Sequence, residues 1–251
     1  ATGDIAVSGV IAGACVLYKR GDAKLTLSGN NTYSVGTVIG GGTLSISKDN
    51  TTTHHLGALS AGCTLTFDGG SLEVTGGALY ASGQNWLLRN IILGPGGGTV
   101  VSPLEIGHED YSGIGEFVSG GTAAGGLTLK GGDIVVRPGA QNTLGKLTAY
   151  SGRTFLRNDA GNRYPVGLSD EVLVKTGAFL VFTDHMPRSL TNSFTFEGDS
   201  VLCTRIHADY SGAMTLSTTH ANFPSSGRIF FNYDDQATDT ITINGDWPTL
   251  T

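Results

Sequence analysis

The chain has 251 residues, a net charge of −6 and only 14% charged residues, against roughly 25% in ordinary globular domains. This balance argues against a nucleic-acid partner, because neutralising phosphates needs a basic face. No apolar run is long enough to span a bilayer, and no helical period extends beyond about two turns. Gly supplies 39 residues, about twice the usual share, and Ser and Thr fill most polar positions. That composition predicts an all-β chain of short strands joined by tight corners.

The first pair of elements lies in Lys24–Ser47. Leu25/Leu27 and Leu44/Ile46 alternate with small polar residues, and Gly- and Asn-rich turns separate them. Alternation places one set of side chains on one face of a strand. A fuller template follows, with apolar residues at offsets zero and two, a Gly corner, and apolar residues again at seven and nine. Leu65, Phe67, Gly69-Gly70, Leu72 and Val74 fit it, as do Leu127, Leu129, Gly131-Gly132, Ile134 and Val136. Val172, Val174, Gly177, Phe179 and Val181 fit it, and so do Phe194, Phe196, Gly198, Val201 and Cys203. Ile241, Ile243, Gly245 and Leu250 fit it less fully, with Pro248 at one inward position.

Repeated turning in one sense predicts a parallel β-solenoid, whose coils pair about 4.8 Å apart. At about 20 to 25 residues per coil the chain holds roughly ten to twelve rungs, in a body about 50 Å long. A β-sandwich is the rival, but it would need recurrent hairpin turns. Only Asp68-Gly69 and Asn244-Gly245 offer them. Residues 1–132 hold 29 of the 39 glycines, and residues 133–251 hold 13 of the 20 aromatics. The first part therefore reads as a regular coil and the second as less regular coils with longer loops, such as Arg153–Pro165 and Asp184–Leu190. No linker divides them, so 1–251 is expected to be a single domain.

Three stretches together resemble the passenger-associated repeat of bacterial autotransporters and related secreted proteins. The first is Val7–Gly13 with Leu25–Ser34 and Gly41–Ser45. The second is Leu56–Leu72, and the third is Leu88–Val100. Gly125–Val136 starts another such cycle. The resemblance implies a right-handed parallel β-helix, secreted or on the bacterial surface. The alternating, aromatic-girdled strands of a membrane barrel are missing from the C-terminal region. The repeat itself names no activity.

Candidate chemistry is sparse. Cys15, Cys63 and Cys203 make no closed disulfide framework, and the pattern places Cys63 and Cys203 as small buried hydrophobes in core ladders. His54-His55, in the polar stretch from Asp49, reads as an exposed loop without further metal ligands nearby. His108-Glu109-Asp110 reads as a polar loop, with too few oxygens for a hard cation. Asp184-His185 with Asp209, and Asp234-Asp235 with Asp239, are the acid pairs that a polysaccharide-cutting β-helix would use. The reading as solvated turns is preferred for them, because Asp favours turns for its own reasons. Asn30-Asn31-Thr32 and Asn50-Thr51-Thr52 match the glycan-acceptor pattern, which carries nothing here. Gly94–Thr99 lacks the Lys of a phosphate loop and reads as a corner.

No catalytic, cofactor or metal residue is therefore assigned. The expectation is a non-enzymatic, extracellular or cell-surface solenoid that stacks end to end into a fibre or serves as an adhesin stalk. It would self-associate through terminal rungs, since Asp4–Gly9 and Thr240–Gly245 alternate without an evident cap. A glycan-binding or polysaccharide-degrading β-helix is the alternative.

Overall fold

The computed structural model describes residues 3–76, 86–101, 103–107, 118–119, 125–137, 143–157, 171–183, 189–190, 192–205, 213–217, 221–222, 229–233 and 240–244. Among them there is no helix, and every pairing between strands is parallel. The hairpins of a sandwich are thus replaced by a parallel β-helix.

Its longest ladder, the first face, runs through ten strands: Ile5–Val7, Lys24–Leu27, Thr43–Ile46, Ser71–Val74, Gly98–Val101, Leu127–Val136, Lys146–Leu156, Glu171–Val174, Ser193–Phe196 and Ala221–Asn222. A second face shares the two long strands. It runs from Trp86–Leu87 and Leu104–Ile106 through their later halves to Phe179–Thr183, Ser200–Arg205 and Ile229–Tyr233. A separate sheet stacks Val16–Lys19, Gly36–Ile39, Thr64–Phe67, Ile91–Leu93 and Val118–Ser119. A three-stranded sheet joins Ser189–Leu190, Ala213–Ser217 and Thr240–Asn244.

Aligned residues show that the coils are unequal. The coil that carries the chain from Leu25 to its partner Leu44 is short. Those from Leu44 to Leu72 and from Val100 to Leu129 are about half as long again. Like stacks on like because each strand repeats the inward phase of its neighbour. Leu44, Leu72, Val100, Leu129, Ala149, Val174 and Phe196 form one column, and all lie in the main core. Each large apolar side chain so withdrawn from water contributes about 1.5–3 kcal/mol.

The recurring template turns out to describe two different corners. Gly69-Gly70 lies between Thr64–Phe67 of the five-stranded sheet and Ser71–Val74 of the first face. Gly131-Gly132, at φ of 77° and 71°, instead bends one long strand from the first face to the second. Identical spacing serves both corners, because each must return the chain to the inward phase.

At the later corners that phase slips. Ala178, Leu180, Phe182 and Leu202 enter the main core. Val181 and Cys203, expected beside them, join Val135, Phe155 and half-buried Phe179 in a second apolar cluster. Because strand side chains alternate, a slip of one residue moves the whole set to the other side of the sheet. Phe179-Leu-Val-Phe182 and Val201-Leu-Cys203 are apolar at every position, as befits strands covered on both faces. Alternation alone could not choose between the two sets.

The five-stranded sheet has an unusual inward residue. Lys19 aligns with Ile39 and Phe67 and is buried. Its Nζ donates to the carbonyls of Gly21 (2.7 Å), Gly41 (2.9 Å) and Arg20 (3.2 Å). The ammonium thereby satisfies corner carbonyls of two successive coils. On the first face the ladder ends differently: Ile5 pairs with Leu25 yet is 51% exposed.

Candidate functional site

The expected acid and histidine pairs at 108–110, 184–185, 209, 234–235 and 239 lie outside the described residues. The other candidates can be placed. Cys63 is buried, with its thiol donating to the carbonyls of Tyr33 (3.6 Å) and Leu56 (3.7 Å), and burial pushes its pKa up. A thiol held protonated in this way is a poor nucleophile. Cys203 is buried in the second cluster, and Cys15 is exposed.

His54-His55 is not the exposed loop expected. His55 is 4% exposed, with Nδ1 2.8 Å from the carbonyl of Gly29 and Nε2 2.8 Å from Ser47 Oγ. Both ring nitrogens are thus engaged by the coil itself. Asn31 supports the same loop. Its Nδ2 donates to the carbonyl of His55 (2.7 Å), and its Oδ1 accepts the Ile11 N–H (2.8 Å). Asn50 Oδ1 accepts from the N–H groups of Thr52 and Thr53 and from the Thr52 hydroxyl, closing a turn. These asparagines hold backbone.

The residue missed from sequence is Arg89, one of the largest fully buried side chains among the described residues. Its Nε donates to Asp49 Oδ2 (2.7 Å) and its Nη2 to Asp49 Oδ1 (3.1 Å). It also donates to the carbonyls of Gly57 (2.7 Å), Ala58 (2.5 Å) and Cys63 (3.4 Å). Burial disfavours its charge, but the Asp49 carboxylate more than offsets this and raises its pKa. Asp49 Oδ1 further accepts the Leu56 N–H (3.2 Å). Tyr33, whose hydroxyl lies 2.6 Å from Thr37 Oγ1, is buried nearby, and burial pushes its pKa well up. The arrangement is closed, with every Arg89 nitrogen engaged, so it folds the 49–63 segment onto the core and offers no group to a ligand.

The outer side of the first face is open. A groove of about 420 Å³ is lined by Lys24, Thr43, Ser71, Glu73, Thr99, Val101, Thr128, Lys130 and Tyr150. Thr43, Ser71, Thr99, Thr128 and Thr148 stand in consecutive register, one hydroxyl per strand. Glu73 accepts from Lys24 Nζ (2.9 Å) and Ser45 Oγ (2.7 Å). The Lys24 bond, followed by that of Ser45, holds its carboxyl below the usual range. Lys130 Nζ lies 4.9 Å from the centre of the Tyr150 ring, which is 45% exposed. In sequence this ladder is visible only as a Ser or Thr just before an inward residue of each strand.

Glu73 also makes a pH prediction. Its folded pKa is depressed, so its contribution to stability is present above the unfolded carboxylate range and is lost as pH falls through the folded value. The melting-temperature gap between wild type and Glu73→Gln should therefore be widest near neutrality and close as pH falls below the ordinary carboxylate range. A gap that widens on acidification would refute the assignment.

Among the described residues, no cluster of three His, Cys, Asp or Glu side chains is placed to hold a metal ion, and no helix is long and apolar enough to cross a membrane. Comparison with curated proteins and with solved structures gave no match. Residues 17–46 do match a family model, the Passenger-associated-transport-repeat. The match spans two strands of the five-stranded sheet and two of the first face, so this β-helix carries, in its early coils, the passenger repeat that its sequence resembles.

Proposed function

We propose that the chain is a non-enzymatic structural solenoid of the bacterial exterior, one domain over 1–251, working as a fibre or as the stalk of an adhesin. The passenger repeat supports the extracellular setting. The observation that carries the structural role is the first-face ladder, in which ten strands add in parallel and the Ile5–Val7 strand has a partner on one side only among the described residues. An edge of that kind accepts a further strand, from the same polypeptide or from a second copy. No nucleic acid or cofactor enters this reading.

Electron microscopy of the purified chain at rising concentration tests it. Filaments with an axial repeat set by about 4.8 Å per coil are expected. Ile5→Lys should shorten or abolish them with little loss of fold, because the side chain is already half exposed and a charge on an edge opposes pairing. Compact monomers at every concentration would remove self-assembly from the proposal.

A further inference from the structure

We propose that the groove on the first face binds an extended acidic oligosaccharide, with Lys130 reading its carboxylate and Tyr150 its ring. Three features of the groove point to this ligand. The first is periodicity. Thr43, Ser71, Thr99 and Thr128 present one half-buried hydroxyl per strand, and adjacent strands are about 4.8 Å apart. A linear sugar chain also presents hydroxyls at a short regular repeat, and each Ser or Thr can both donate and accept. The second is Tyr150, an exposed aromatic beside this polar row. Such a ring offers an apolar platform to the C–H face of a pyranose while its hydroxyl stays wet.

The third is charge. The lining holds two lysines and one carboxylate. Lys24 and Glu73 neutralise each other at 2.9 Å, which leaves the Lys130 ammonium, resting on the Tyr150 ring, as the charge of the lining that no carboxylate among the described residues pairs. A positive groove on a chain of net charge −6 selects an anionic ligand locally rather than by the general field. The same lining argues for binding without cleavage. Canonical glycoside hydrolysis needs two carboxyl groups, one of them a proton donor, and here the single Glu73 is held ionised. The volume, about 420 Å³, lies within the range of small-ligand sites and suits a few sugar rings. The proposal is independent of strand addition at Ile5–Val7, which concerns the edge of the ladder and not its outer side.

Titration calorimetry with hexamers of galacturonate, hyaluronate and polysialate, against neutral cellohexaose, tests it. At least one acidic hexamer should bind, at least about tenfold more tightly than the neutral one and more weakly as salt rises. Lys130→Ala should erase the preference for acid, and Tyr150→Ala should weaken binding about tenfold. Thr99→Val and Thr128→Val, which keep shape and remove the hydroxyl, should each cost about threefold. All four positions are at least partly exposed, and unchanged melting temperatures will show that the fold is intact. Three outcomes would overturn the proposal: no acidic hexamer binds, the neutral chain binds equally, or binding survives Lys130→Ala and Tyr150→Ala unchanged. Self-association that is lost in Tyr150→Ala, with no sugar bound, would overturn it too, by naming a second copy as the occupant.

Discussion

Arg89→Met should destabilise the early coils by about 3–5 kcal/mol, the cost of leaving one partner of a buried ion pair without the other. The substitution keeps most of the side-chain volume, so packing is not the main loss. Asp49, 2% exposed, would keep its charge without its guanidinium, and the carbonyls of Gly57, Ala58 and Cys63 would lose their donor. Arg89→Lys should rescue little, since one ammonium cannot match a planar fork that reaches a carboxylate and three carbonyls. Asp49→Leu combined with Arg89→Met should recover part of the loss by removing the orphaned charge, though the Leu56 N–H would then lack its acceptor. Hydrogen exchange suits the measurement better than a single melting curve, because long repeat arrays need not unfold in two states. Protection should fall first around 49–63. A loss below about 1 kcal/mol in Arg89→Met would mean that the pair behaves like a surface salt bridge, contrary to its burial.

The Asp49–Arg89 pair also shows where the sequence was hard to read. Alternation and glycine corners made the solenoid legible, because each strand must meet the same inward phase. That logic held at Leu65–Val74 and Leu127–Val136, where all the expected apolar residues are in the main core. It failed at Phe179–Phe182 and Val201–Cys203, where both sides of the strand are apolar and the phase is set by the corner. The stretch Asp49–His55 looks solvated because it is polar at every position. Yet it belongs to the long coil from Leu44 to Leu72, which follows the short one from Leu25 to Leu44, and its two ends, Asp49-Asn50 and His55, fold inward while Thr51 and Thr52 stay exposed. The single clue was the lone cation in Leu88-Arg-Asn-Ile91. The hydroxyl row of the groove was hidden for another reason, since its members lie a full coil apart in sequence and only the register aligns them.

Gly42→Ala should cost more than about 3 kcal/mol, while Gly21→Ala, one coil earlier, should cost only about 1–2 kcal/mol. Both glycines have left-handed backbones, with φ of 56° and 73°, and any Cβ pays that conformational strain. Their surroundings differ. A Cβ on Gly21 meets nothing within 4 Å. A Cβ on Gly42 would lie 2.7 Å from both the carbonyl carbon and the oxygen of Asp22 in the coil beneath. Those atoms are backbone, and the nearby carbonyls of Gly21 and Gly41 are tied to the Lys19 ammonium, so the corner cannot yield by a side-chain rotation. The difference between the two variants therefore isolates coil-on-coil contact from backbone strain. Equal losses would show that strain alone selects glycine at these corners. A larger loss at Gly42 would show that the corners are also where successive coils approach most closely. In that case the glycine doublets of the regular early coils are needed for stacking as much as for turning.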